Sequence, residues 1–239
     1  LEVMEENTLF QLADNCDLVL QQPCGFKTRC EENYSIVQSN EWKAGDRMTE
    51  LPVLIMGKTQ KILLSEFDLV SYPGLFLKGN ADNSLSAIQP KNPLEYEDHG
   101  DRSHRILKEA DYIAKTNGTR TFPWRYMLIT REDGRLAENT MPTRLAPKCE
   151  IEDTSWIKPG QTCWDWLNGI PYGPDVTFEG GINLETYKYF VDFASRNGVP
   201  YIIMDEGWAL NTRDPFKTNP KVNLPELIRY GKEKNVGIW

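Results

Sequence analysis

Histidine is nearly absent, with two residues in a chain of 239, and the five cysteines at 16, 24, 30, 149 and 163 follow no zinc-ligand spacing. A zinc centre is therefore not expected. Free or buried thiols are the reading that the composition favours, and a disulfide among Cys16, Cys24 and Cys30 stays open for an oxidising compartment. No apolar run approaches the roughly 20 residues that span a bilayer, so no membrane span is expected. The opening stretch LEVMEENTLF has neither a basic start nor an apolar core, so any export signal has been removed or was never present. Lys and Arg nowhere gather into a footprint for a phosphate backbone, and the net charge is -8. Nucleic acid is thus not an expected partner. Nor does a glycine-rich phosphate loop follow the strand-like TCWDWLN, where bulky aromatics stand instead, which disfavours a dinucleotide-binding sheet.

What is present, 40% hydrophobic and 26% charged residues, predicts a soluble globular chain with a sizeable core. It is written in two grammars. Residues 1–150 alternate short β-rich runs such as PVLIM, KILLSEFDLV and RYMLIT with turn clusters such as GNADNS and REDGR, which predicts an antiparallel β-sandwich. The opening 45 residues carry little periodicity and read as an irregular arm, and residues 89–112 read as a long surface loop. Residues 151–239 alternate strand and helix: TCWDWLN, a helix over 184–197, YIIMDEGW, a helix over 224–234, and VGIW. Tyr187, Phe190, Val191 and Ala194 share one face of the first helix, with Asn183 as its cap and Gly198 at its end. Asn223 and Glu226 read as a capping box for the second, and Leu224, Leu227 and Ile228 as its buried stripe. These are βα units of a parallel sheet. The expected fold is a β-sandwich followed by the first β/α units of a (β/α)8 TIM barrel; a complete barrel needs about 250 residues, so the chain reads as a fragment.

Two adjacent carboxylates, Asp205 and Glu206, end an apolar strand-like run and are followed by Gly207 and Trp208. In a barrel, the C-terminal strand ends carry the chemistry. One reading is structural, with an acid capping the next turn and Trp208 packing the rim. The other is functional: carboxylates accept hydrogen bonds from a polyhydroxylated ligand while tryptophans stack on its apolar face. Trp164, Asp165 and Trp166 repeat this chemistry at the preceding strand end, which tilts the balance toward carbohydrate. Glu66 closes another apolar run before a Pro73-Gly74 turn, and hard cations such as calcium gather carboxylate oxygens from several segments. Asn33-Tyr-Ser and Asn117-Gly-Thr fit the glycosylation pattern, a motif short enough to recur by chance.

Six separated motifs, SEFDLVSYPGL, FPWRYMLI, RLAENTMPTRLAP, DTSWIKPGQTCWDWLN, GINLETYKYFVDFASRNGVPYIIMDEGW and LPELIRYGKEKNVGIW, resemble in order and spacing glycoside hydrolase family 97, over roughly residues 50–239. The resemblance implies a β-sandwich and a catalytic (β/α)8 barrel acting on α-galactosides or α-glucosides with calcium in the active site. It implies that Glu66 reaches the calcium and that Asp205 and Glu206 hold sugar hydroxyls. GINLETYKYF followed by DEGW is closer to the retaining α-galactosidase branch than to the inverting α-glucosidase branch. Leu167, where an aromatic is common, and PYGPDVTFEGG depart from the pattern. The nucleophile and general acid are expected beyond Trp239, so no catalytic residue is assigned to this chain and residues 1–239 alone are expected to be inactive. The implied partner is an α-linked oligosaccharide or glycoside, and the implied location is periplasmic or secreted. A non-catalytic carbohydrate-binding protein is the alternative from another class.

Overall fold

The computed structural model describes residues 1–27, 32–100 and 103–239. They form two compact units, one of residues 1–96 and 106–150, the other of residues 97–105 and 151–239.

The first unit is built from two antiparallel sheets. Five strands run in the order Trp124–Thr130, Lys61–Phe67, Val53–Met56, Asp17–Leu20 and Ser35–Gln38, and four in the order Leu9–Gln11, Ser84–Ile88, Phe76–Gly79 and Thr49–Glu50. Alternation along these strands sends Leu18, Leu20, Val53, Ile55 and Leu64 from one sheet, and Leu77 and Leu85 from the other, into a shared core. Trp42 is 1% exposed in that core, and its indole N–H donates to the Arg47 carbonyl at 3.0 Å. Gly79 makes room for it, since a Cβ there would lie 2.3 Å from the Trp42 carbonyl oxygen.

Two sequence expectations change here. The opening 45 residues are not an irregular arm: they supply three strands of the two large sheets, Leu9–Gln11, Asp17–Leu20 and Ser35–Gln38, as well as Trp42. Strands of three or four residues are too short for period-two alternation to stand out. Residues 89–112 are not a loop, because Pro93–Asp98 and His104–Glu109 pair as a hairpin. Its strands are almost wholly exposed, so no apolar alternation marks them, and they are laced by the ion pairs Arg105 to Glu97 at 2.5 Å and Lys108 to Glu95 at 3.5 Å.

In the second unit, Thr162–Trp164, Tyr201–Ile203 and Gly237–Ile238 form a parallel sheet, with the helices Leu184–Asn197 and Leu224–Glu233 in the two crossovers. The first helix starts where the Asn183 side chain accepts the Thr186 N–H at 2.9 Å, and it ends at left-handed Gly198. Its face of Tyr187, Phe190, Val191 and Ala194 is buried with Cys163, Ile202, Met204 and Leu227. The second helix has no capping box. Asn223 is itself left-handed and makes no cap bond, while the Glu226 carboxylate is drawn to Lys188 at 2.8 Å and to Arg229. Of the stripe expected there, Leu227 is buried, Leu224 packs against the core and Ile228 is exposed. Cys163 carries a buried thiol, Cys16 and Cys24 are unbridged, and Cys30 lies outside the described residues.

Candidate functional site

The parallel register sets Trp164 beside Ile203, so the two strand ends leave the sheet together. Asp165 joins them. Its Oδ1 accepts the Trp166 N–H at 3.0 Å and the Asp205 N–H at 3.1 Å, and its Oδ2 accepts the Tyr187 hydroxyl at 2.9 Å. Both oxygens are therefore engaged by the protein, which makes Asp165 a brace for the next strand end rather than a free acceptor. Tyr187 is fully buried; burial first, then the Asp165 charge, push its phenol well above its ordinary titration range.

Asp205 is half-buried, and its Oδ1 accepts the Glu206 N–H at 2.7 Å. Glu206 is exposed. Gly207 takes φ +102°, and a Cβ there would come 2.5 Å from Ile182, so the turn after the carboxylates needs glycine twice over. Asn219 fastens the turn from below: its side chain donates to the Gly207 carbonyl at 2.9 Å and its backbone N–H to the Trp208 carbonyl at 2.8 Å. Trp208 packs against the core, and a hollow of about 250 Å³ opens among Glu206, Trp208, Leu210 and Pro215. Trp166 is 73% exposed, and Trp164 keeps its indole N–H buried without a hydrogen-bond partner. A larger hollow of about 510 Å³ between the first strand and the first helix is lined by Cys163, Phe190, Phe193 and Asn168, with no carboxylate for hydrolytic chemistry.

Glu66 lies in the first unit, directly across the sheet from Arg125. Its Oε1 accepts the Leu75 N–H at 2.8 Å. Its Oε2 stands 3.1 Å from Arg125 Nη1, yet this oxygen is buried and receives no hydrogen bond. The guanidinium is near enough to form an ion pair but is turned elsewhere: Nη1 donates to the Pro123 carbonyl at 3.3 Å and Nη2 to Glu6 Oε2 at 3.0 Å. Burial raises the Glu66 carboxyl, while the Leu75 N–H and Arg125 pull it back and Glu6 pushes it up. Among the described residues, no three His, Cys, Asp or Glu side chains gather into a metal-holding group. Glu66 Oε2 thus has the Arg125 guanidinium as its ion-pair neighbour and accepts no hydrogen bond. Sequence reasoning placed Tyr187 only on a buried helix face and gave no role to Arg125 or Glu6; each owes its place to a partner at least 22 residues away along the chain.

Two adjacent carboxylates thus stand at the end of a parallel strand beside a tryptophan in the second unit, and the antiparallel first unit carries a half-buried glutamate. Residues 1–147 match the family model described as Glycosyl-hydrolase 97 N-terminal, and residues 164–239 the model described as Glycoside hydrolase 97. The chain belongs to glycoside hydrolase family 97. The match begins at residue 1, so it also covers the opening stretch that the motifs had left out. Over 198 residues, 80% of this chain, it is 39% identical to a retaining alpha-galactosidase of Bacteroides thetaiotaomicron, and it spans 30% of that relative's length. A relative from Streptomyces bingchenggensis is 34% identical over 133 residues, 54% of this chain and 20% of the relative. A solved glycoside hydrolase family 97 enzyme from Pseudoalteromonas sp. strain K8, in complex with acarbose, superposes with a TM-score of 0.72 at 18% identity, covering 99% of this chain and 35% of that one.

Proposed function

We propose that the protein cleaves terminal α-linked galactose with retention of configuration, in the periplasm or outside the cell, with calcium as its cofactor. On this reading the parallel unit opens a (β/α)8 barrel whose strand ends face the sugar. The observation that carries it is the strand end itself. Asp165 fixes the Asp205 backbone, Asp205 in turn fixes the Glu206 N–H, and Glu206 stands exposed beside Trp208. Such carboxylates accept sugar hydroxyls in a fixed direction, and the indole offers the apolar face that a pyranose ring stacks on. Trp166 offers a second one. Identity to the Bacteroides retaining alpha-galactosidase supports galactose over glucose, and the acarbose complex of the Pseudoalteromonas enzyme supports an α-linked saccharide as the partner.

Retention calls for two carboxyl groups about 5–5.5 Å apart across the scissile bond, one as nucleophile and one as acid and base in turn. Neither is assigned to this chain. Asp205 and Glu206 would accept hydroxyls of the ring; Glu66 is the residue of this chain proposed to offer an oxygen to calcium, and a bound calcium would supply Lewis-acid polarisation. The test is hydrolysis of nitrophenyl α-galactoside and α-glucoside by the protein as its gene encodes it. Galactoside should be preferred, activity should vanish on chelation, and calcium should restore it. Preference for glucoside would move the protein to the inverting α-glucosidase reading, and indifference to chelation would remove calcium from the account.

A further inference from the structure

The carboxylate pair leads into a loop, residues 209–218, from which Leu210, Asn211, Thr212 and Pro215 line the hollow together with Glu206 and Trp208. The base of the loop is closed twice: Ala209 and Thr218 form an antiparallel bridge, and the Leu210 N–H donates to the Lys217 carbonyl at 2.8 Å. Within the loop, Asn211 Oδ1 accepts the Arg213 N–H at 3.0 Å and the Asp214 N–H at 3.0 Å. The outer turn is tied to another segment by the Arg213 side chain. Its Nη1 donates to Asp98 Oδ2 at 2.8 Å and its Nη2 to the Gly100 carbonyl at 2.6 Å. Both acceptors lie in residues 97–105, the hairpin tip that is part of the second unit. Gly100 turns there at φ +79°, in the left-handed region that favours glycine, and the other Asp98 oxygen stands 3.1 Å from His104 Nδ1.

Hydrogen bonds inside a loop restrain its shape but not its direction, so a loop joined only at its base swings as a body. A guanidinium that reaches two acceptors on a second segment removes this freedom, because its planar fork fixes angle as well as distance. Arg213 stands between Thr212 and Pro215, which line the hollow, so holding it holds the wall. We propose that Asp98 and Arg213 are positioning residues for the sugar site: their clasp keeps the loop 209–218 against the hollow, so that a pyranose ring meets Glu206 and Trp208 with the wall already in place. The loop is then ordered before the ligand arrives, and binding does not have to order it. The pair is half open to water, with side-chain exposures of 49% for Arg213 and 58% for Asp98, so dissolved salt screens it. The inference rests on the reading of Glu206 and Trp208 as sugar contacts and extends it to the hairpin tip.

The test compares the protein, as its gene encodes it, with Asp98→Asn, Arg213→Gln, Arg213→Lys and the Asp98→Asn, Arg213→Gln double variant, by hydrogen exchange and by kinetics on nitrophenyl α-galactoside. Amide exchange in the loop 209–218 should be faster in Arg213→Gln. In Asp98→Asn and in Arg213→Gln, KM should rise about two- to fivefold, the scale of an exposed ion pair, with kcat moving less, and the double variant should add nothing to the larger effect. Arg213→Lys keeps the charge but not the fork, and should fall between the parent and Arg213→Gln. The substrate is uncharged, so added salt should raise the parent's KM toward that of Arg213→Gln and leave the variant's own KM unmoved. Unchanged exchange in Arg213→Gln would overturn the clasp whether or not the protein cleaves galactosides. Faster exchange at an unchanged KM would overturn its part in sugar binding and leave the assigned function intact. Fully additive losses in the double variant would separate Asp98 from Arg213 and overturn the pairing. Absence of turnover by the parent would remove the assigned function and this role together.

Discussion

Tyr187→Phe probes the brace beneath the two carboxylates with a single missing atom. The ring is fully buried in the core of the second unit and the substitution keeps its shape, so packing should survive. What goes is the hydroxyl that donates to Asp165 Oδ2 at 2.9 Å. A hydrogen bond to a charged group contributes about 1.5–3 kcal/mol, and losing it also leaves that oxygen short of a donor. Unfolding in urea, followed by tryptophan fluorescence, should therefore show a loss of about 1.5–3 kcal/mol at an unchanged slope. Tyr189→Phe is the control, since its hydroxyl meets Asp175 at 3.2 Å near the surface and its removal should change little. The pH dependence follows with a fixed sign. The buried phenol is raised above its ordinary value of 10.0, so its contribution is complete below pH 10.0 and is lost as the pH climbs beyond it. The Phe variant should lose less stability than the parent over that alkaline window. A loss below about 0.5 kcal/mol, or identical alkaline profiles, would refute the brace.

Other parts of the account make their own demands. Asp205→Asn should leave the fold intact but lower kcat/KM on an α-galactoside by about 10- to 100-fold, the value of one charge-assisted hydrogen bond; an unchanged ratio would remove Asp205 from the sugar site. Gly79→Ala should drive a methyl group into the Trp42 carbonyl 2.3 Å away, costing about 1–3 kcal/mol and shifting the tryptophan fluorescence, and a neutral result would mean that the Trp42 backbone yields. Asn183→Ala removes the bond to the Thr186 N–H and should cost about 1 kcal/mol in urea titration, whereas Asn223→Ala, at a position that makes no cap bond, should not show a capping loss.

The sequence was most legible where periodicity was long. Fourteen residues, Leu184–Asn197, displayed their buried face, their Asn183 cap and their Gly198 stop, and all three are present. It was least legible where the elements are short or the partners distant. Asp17–Leu20 has only four residues, yet it is the fourth strand of a five-stranded sheet, and no window of that length separates a strand from a loop. Asn223 and Glu226 had the spacing of a capping box, but Lys188 from the other helix reached Glu226 first. At the site, residue types at strand ends pointed to Asp205, Glu206 and Trp208. What each carboxylate already spends on the protein could not be read: Asp165 looked like Asp205 in sequence, and only the fold shows both of its oxygens engaged. Strand pairing sets Arg125 beside Glu66, and a side-chain hydrogen bond ties Arg125 to Glu6, 119 residues away, relations that no local pattern records.

The most direct test of the central claim is the configuration of the sugar at the moment of release. Proton NMR of nitrophenyl α-galactoside turnover by the calcium-loaded protein, as its gene encodes it, should show α-galactose first and β-galactose only as mutarotation proceeds. β-Galactose appearing first would contradict retention, and absence of turnover on α-galactosides would contradict the assigned function.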